Sequence, residues 1–271
     1  MSEEKMPFTA HLQELRKRFI ICAIAIGVGF VVSYGFADRI LAILCQPWLE
    51  ALPKDQQIKL IATAPHEVFF TNMKVAFLAG IMLAVPVILY QLWSFIAPGL
   101  YEQERRAILP VVFFSSFFFL GGALFGYFCV FPYGFQFFAS FATDYITLMP
   151  TTREFLTFTT RMLIGFGVVF ELPIFAYFLA RLGLITARLM RRVRKGAIVA
   201  IFIIAAAITP SPDVFSQLMM AGPLLILYEA SVWIVHFCEK KEKLKQEEPN
   251  EDEPAAAQDG SENPGKEGTT T

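Results

Sequence analysis

The segment Phe95-Ile96-Ala97-Pro98-Gly99-Leu100-Tyr101-Glu102-Gln103-Glu104-Arg105-Arg106 is a short polar interruption between two long apolar runs. Proline removes a backbone donor and glycine permits φ > 0, so the preceding helix stops here and the chain bends. The four charges that close the segment enter hydrocarbon at a cost of about 2.5–3.5 kcal/mol each on insertion scales. The segment is therefore expected in water beside a membrane, presenting carboxylates there.

The composition on either side agrees. Of 271 residues, 55% are hydrophobic, 29 are Phe, and only 17% are charged, against about 25% in soluble domains. A bilayer span needs about 20 apolar residues, and six stretches qualify or nearly so: 19–37, 69–93, 108–132, 156–180, 196–210 and 215–236. The expected fold is all-α, a polytopic membrane protein with six transmembrane helices. The last two are short, since 196–209 supplies roughly 21 Å of helix for a core of about 30 Å. Pro86, Pro173 and Pro223 lie inside spans, where each deletes a helix hydrogen bond and should kink its helix. Kinked, tilted spans favour a concave molecule. Residues 6–19 read as a separate amphipathic helix in the interface, with Phe8, Leu12, Leu15 and Phe19 on one stripe. The stretches 38–68 and 133–155 are long enough to form caps with short helices of their own.

Orientation follows from basic residues in the connecting segments. One side carries seventeen Lys and Arg: the N-terminal segment, 94–107, 181–195 and the C-terminal tail. The other carries four: Arg39, Lys54, Lys59 and Arg153. Both termini are thus expected in the cytoplasm. The membrane domain is read as residues 1–238, and 239–271 as a disordered tail with ten acidic and five basic residues. Cys22, Cys45, Cys129 and Cys238 show no metal or disulfide spacing. No nucleotide loop, metal motif or nucleophile elbow is present, so no cofactor, metal, catalytic set or nucleic-acid partner is expected.

Four groups of polar residues carry the functional question. Glu171 lies deep in an apolar span, where an ionisable residue marks a polar pocket or pathway. Glu14 and Glu104 fall at the cytoplasmic surface. Glu14 has Arg18 at i+4, an ordinary helix pair. Glu104 lacks the local cation that Glu102 finds in Arg106, and is the better placed to hold something external. Asp213 stands at the outer tip before the last span, an evident N-cap, with Gln217 four residues on. Arg181, Arg188, Arg191, Arg192, Arg194 and Lys195 read as a cytoplasmic anchor that meets anionic lipid. Gly122 and Gly126 form one GxxxG, a weak packing signal. A proton- or ion-coupled small-solute transporter using Glu171 is the alternative reading from these residues alone, although no internal repeat supports it.

Four motifs in order, His11-Leu12-Gln13-Glu14-Leu15-Arg16-Lys17-Arg18, Phe95 to Arg105, Phe170-Glu171-Leu172-Pro173, and Thr209-Pro210-Ser211-Pro212-Asp213-Val214-Phe215-Ser216-Gln217, resemble those of the TatC family. These are signal-peptide receptors of the twin-arginine, Sec-independent protein translocase. The resemblance covers residues 6–238. It implies a glove-like six-helix fold in the bacterial cytoplasmic membrane, with no enzymatic activity. It implies that Glu14 and Glu104 bind the paired arginines of a folded precursor's signal peptide, with Pro47, Phe95, Pro98, Leu100, Tyr101 and Arg105 as scaffold. It further implies that Glu171 faces the concave pocket, and that Asp213 and Gln217 lie at an outer tip near partners. TatB and TatA, single-span proteins, would dock on the polar flanks of the last two helices. Self-association in a receptor complex, lipid contact and transport driven by the proton-motive force complete the expectation.

Overall fold

The computed structural model describes residues 8–51, 60–96, 108–141, 149–209 and 213–247. Helix α1 (Phe8–Tyr34) meets α2 (Ala37–Ala51) at a bend of 86°. Next come α3 (Pro65–Ile96) and α4 (Ile108–Phe125), which runs through a π-helical turn (Gly126–Val130) into α5 (Phe131–Ala139). Helices α6 (Thr152–Phe170), α7 (Leu172–Arg181), α8 (Ala187–Ile208) and α9 (Val214–Glu247) follow.

Four of the described helical segments are long and apolar enough to cross a membrane: α3, α4 with α5, α6 with α7, and α9. The bent pair α1–α2 is a fifth if taken as one span. Helix α8 falls short, because five bases occupy its first half and only 197–208 is apolar, about 18 Å. The expectation of a multi-spanning helical protein is met and α8 is short as expected, but α9, also expected to be short, is long enough to cross over Val214–Lys240.

Other features differ from expectation. The N-terminal amphipathic stretch is no separate interfacial helix but the first turns of α1, which is unbroken from Phe8 to Tyr34. No glycine or proline occurs between Phe8 and Gly27 to stop it. Helices α3 and α9 run through Pro86 and Pro223 without interruption, and only Pro173 accompanies a break. The tail assigned as disordered from Glu239 instead continues α9 to Glu247. Its Glu-Lys-Lys-Glu-Lys-Leu-Lys sequence consists of strong helix formers with Glu-to-Lys spacing of four. A short helix, α2, occupies the 38–68 stretch as expected, while α5 runs on from α4 as part of one long apolar segment.

Pro132 explains the π-turn. Lacking an N–H, it cannot bond to the carbonyl four residues back, and the preceding Phe131 N–H reaches five residues back to Gly126. Behind α2 and α5 lies the main core, where Trp48, Phe131, Phe135, Phe155 and Phe166 pack with Leu156, Met220 and Leu224. A smaller cluster surrounds Trp93 with Val85, Leu89, Phe119 and Phe178. At the outer end, Ile61 and Thr151 form a short bridge, and Glu67 accepts from Thr63 N (2.6 Å) and Arg153 N (3.0 Å). These bonds tie the start of α3 to the start of α6.

Two glycine contacts set the helix spacing. A Cβ on Gly29 would lie 2.6 Å from the Gly80 carbonyl oxygen, and one on Gly80 would lie 2.6 Å from the Phe30 nitrogen. Helices α1 and α3 therefore cross backbone on backbone, as small residues allow between spans. The Gly122–Gly126 motif does the same for α4 and α6: a Cβ on Gly122 would meet the Phe166 carbonyl at 2.6 Å. Gly80→Ala is expected to lower the unfolding temperature in detergent, at a cost of about 1–3 kcal/mol for overpacking. Gly27→Ala, with nothing within 4 Å of the new methyl, is expected to leave it unchanged.

Candidate functional site

The inner end of α3 is its last described turn before the 97–107 segment, and two polar assemblies meet there. Arg18 on α1 donates from Nε (3.0 Å) and Nη2 (2.5 Å) to Glu14 Oε1. The same guanidinium donates to Gln91 Oε1 (3.2 Å), to the Gln91 carbonyl (3.4 Å) and to the Ser94 carbonyl (3.1 Å). The last carbonyls of a helix have no intrahelical partner and carry the negative end of its dipole. A guanidinium is the natural group to satisfy several at once. The helix pair read from spacing thus forms, and it does more than that reading assigned, fixing α1 to the end of α3.

The register comes from the glycine crossing. Arg18 stands eleven residues before Gly29, and Gln91 eleven residues after Gly80. Eleven residues are about three turns, so each lies on the same helix face as its glycine. The antiparallel pair that touches at Gly29–Gly80 therefore meets again at Arg18–Gln91.

Glu14 is half-buried, and among the described residues both bonds to its carboxylate go to Oε1, leaving Oε2 unengaged. Phe95, also half-buried, is adjacent in sequence to Ser94. Glu104, with Pro98, Leu100, Tyr101 and Arg105, lies outside the described residues. Pro47 is not brought here. It is buried in α2 beside Trp48, in the cap beyond the other end of α1, and the bend after Tyr34 puts it there.

The second assembly shares the same turn of α3. Trp93 Nε1 donates to Ser115 Oγ on α4 (3.0 Å), and Ser115 in turn donates to Glu171 Oε2. All three are buried, and Glu171 Oε1 has no partner among the described residues. Glu171 occupies the break between α6 and α7. Pro173 cannot donate to the Val169 carbonyl, so the helix tightens to a Glu171 N–H bond with Val168 O (3.1 Å). It then restarts with Phe175 N–H on Glu171 O (2.9 Å). Glu171 is thus a polar clasp between α3, α4 and α7. Glu171 is not among the residues lining the pocket between α1, α3 and α6. Ser115 was missed from sequence, although a Ser-Ser pair inside a run of Phe was a visible signal.

Asp213 and Gln217 are used within the chain. Asp213 Oδ1 caps α9 by accepting from Ser216 N (2.7 Å), the capping role its position suggested. Gln217 Nε2 donates to the Phe202 carbonyl (3.0 Å), holding α9 to α8. Of the six bases, Arg194 pairs with Glu229 (2.6 Å) and Arg181 contacts the Tyr177 hydroxyl. Among the described residues no cluster of His, Cys, Asp and Glu is arranged to hold a metal.

A family model described as Sec-independent protein translocase protein (TatC) matches residues 10–223, which include both assemblies. The chain belongs to the TatC family. A TatC protein of Desulforapulum autotrophicum is 50% identical over 246 residues, covering 91% of this chain and 90% of that one. A TatC protein of Carboxydothermus hydrogenoformans is 43% identical over 242 residues, covering 89% and 98%. The crystal structure of a twin-arginine translocase receptor TatC superposes with a TM-score of 0.75 at 38% identity, covering 84% of this chain and 99% of that one.

Ser115→Ala removes both the donor to Glu171 and the acceptor for Trp93. It is expected to destabilise the solubilised protein by about 1–3 kcal/mol, the penalty for stranding buried polar groups. Glu171→Gln keeps an acceptor for the Ser115 hydroxyl and should cost less. Thermal melts of the two variants side by side check the order.

Proposed function

We propose that this chain is the receptor subunit that binds the twin-arginine signal peptide of folded precursors at the cytoplasmic face of the bacterial inner membrane. The observation that supports this reading is the setting of Glu14. Its carboxylate sits against the negative end of α3, beside exposed-end carbonyls, and the chain's own Arg18 already lies in that setting. An environment that accepts one guanidinium through a carboxylate and helix-end carbonyls suits a second. Arginine forks engage carboxylates bidentately, and the compact lysine ammonium does not reproduce that geometry.

In this mechanism Glu14 and Glu104, with α3 ending between them in the sequence, divide the two arginines of the signal. Phe95 and the 98–105 residues form the adjoining surface. Glu171, with Oε1 uncommitted inside the bundle, accepts a donor from the peptide once it inserts. The chain crosses the membrane six times with both termini cytoplasmic, α8 being the short span. TatB- and TatA-type single-span proteins dock along α8 and α9. The outward residues Val199, Ile203, Ile226 and Trp233 are exposed there, so this contact is largely apolar rather than polar. The chain acts without enzymatic chemistry, and the proton-motive force drives transport.

A photocrosslinker at position 104 or 14 is expected to capture a twin-arginine precursor. Glu104→Lys should abolish that crosslink while the protein still inserts, and persistence of an unchanged crosslink sinks the assignment. Replacing both signal arginines with lysine should weaken binding of a purified signal peptide by about tenfold or more, in line with the loss of charge-assisted forked bonds. The solute-transporter reading has less support, because one oxygen of Glu171 is already committed to Ser115 and no internal repeat is present. Vesicles holding the purified chain alone are expected to show no solute uptake sensitive to Glu171→Gln.

A further inference from the structure

A pocket of about 850 Å³ opens between α1, α3 and α6, and two cations line it, Lys74 and Arg161. Each lies nine residues into its helix, Lys74 from Pro65 and Arg161 from Thr152. Both therefore stand about 14 Å from the outer ends of α3 and α6, at matching depth. Neither makes a hydrogen bond or ion pair with any described residue, and no Asp or Glu lines the pocket. The acids nearest in sequence are on the outer turns. Glu67 is committed to Thr63 and to Arg153 N, and Glu154 is seven residues, about 10 Å of helix, above Arg161.

Cations inside spans pair with an anion or face water. Here no described residue supplies an anion, and the walls are largely apolar. Below the cations the pocket continues for about 10 Å along Phe77, Ile81 and Ile164, with Ile26 and Phe30 opposite on α1. Thr160 adds a hydroxyl at the level of Arg161. Phe70, Met73 and Leu156 line the pocket on the outer side of the cations, and the longer apolar run lies below them, where acyl chains lie along the membrane normal.

We propose that this pocket is a binding site for one anionic phospholipid. Its phosphodiester is held between the Arg161 guanidinium and the Lys74 ammonium, and its acyl chains lie along α1, α3 and α6. Arg161 supplies the forked donors that match phosphate oxygens, and Lys74 a mobile second charge that reaches up along its stem. A phospholipid with no net charge fits less well, because its own cation would approach two others. The site lies at the opposite end of α3 from the Glu14 assembly. It rests on α1, α3 and α6 spanning a bilayer and not on the receptor reading.

The test uses the full chain purified in detergent and exposed to phosphatidylglycerol or phosphatidylcholine, with retained lipid read by native mass spectrometry. Phosphatidylglycerol is expected to be retained selectively. Lys74→Gln with Arg161→Gln should weaken retention by about tenfold or more for each charge removed, while Arg39→Gln, at an exposed cation outside the pocket, leaves it intact. A photoreactive phosphatidylglycerol on the unmodified chain should label peptides of α1, α3 and α6. That arm decides the matter even if the double variant fails to fold. Equal retention in the Lys74/Arg161 variant, labelling confined to α8, or no preference over phosphatidylcholine overturns the site. Capture of an acidic partner span from position 77, with no lipid retained, assigns the pocket to a protein and overturns it as well. Signal-peptide crosslinking from position 14, measured in parallel, is expected to survive the double variant, so loss of one reading is distinguishable from loss of the other.

Discussion

The contact of Gly29 with Gly80 fixes the rest of this molecule. Two helices whose backbones touch at one point have little freedom to slide, and every pair of side chains at equal distance from that point is then set. Toward the inner end, three turns on, the register delivers Arg18 to Gln91 and the end of α3. Alongside the crossing, α1 and α3 form with α6 the pocket that holds Lys74. A side chain at either glycine would separate the backbones and disturb both. The crossing is a van der Waals contact with no charge in it, yet it decides where the charges lie.

Helix α3 is the element the others are measured from. One of its faces carries the crossing with α1, and another faces α4 through Trp93 and Ser115. Its start is tied to α6 through Glu67, and its end is held by Arg18. Because Gln91, Trp93 and Ser94 fall in one turn, the surface assembly around Glu14 and the buried clasp around Glu171 share a support. A shift of that turn would be felt by both. This gives a physical route between a ligand at the membrane surface and the break between α6 and α7, carried by two hydrogen bonds and a rigid helix end.

The helical, membrane-spanning character was legible because apolar runs of 20 or more residues and Pro-Gly interruptions leave few alternatives. The Glu14–Arg18 pair and the Asp213 cap were legible because both are local, within one turn. The helix crossing was not, since a lone Gly29 and a lone Gly80 carry no marker of each other until the register is known. For the same reason Arg18 read as a surface partner of Glu14 and not as the clamp on α3. Glu171 was recognised as costly and therefore purposeful, but its partner Ser115 is 56 residues away, and only packing brings the two together. Residues 239–247 were misread because charge was weighed above helix propensity. A helix already running through Cys238 extends cheaply into Glu and Lys, since the nucleus has been formed.

The polar groups inside the membrane region divide into two kinds, and the division is informative. Gln217, Ser115 and Glu171 Oε2 are satisfied by the chain itself, and they join helices that must stay together: α8 with α9, and α3 with α4 and α7. Glu171 Oε1, Lys74 and Arg161 are not satisfied by any described residue. Leaving such groups unpaired in a low-dielectric setting is costly. Trp48 Nε1 and Thr159 Oγ1 are also buried without a partner among the described residues, but they are neutral; the ionisable groups are the costly ones to leave so, and they suit partners that are not part of the chain. The carboxylate oxygen is inside the bundle and suits a donor arriving with an inserted segment. The two cations face an open apolar groove and suit an anion arriving from the bilayer. Arg161 and Glu171 stand ten residues apart, about 15 Å along the helix, which keeps the opposite charges from pairing directly, so both remain available.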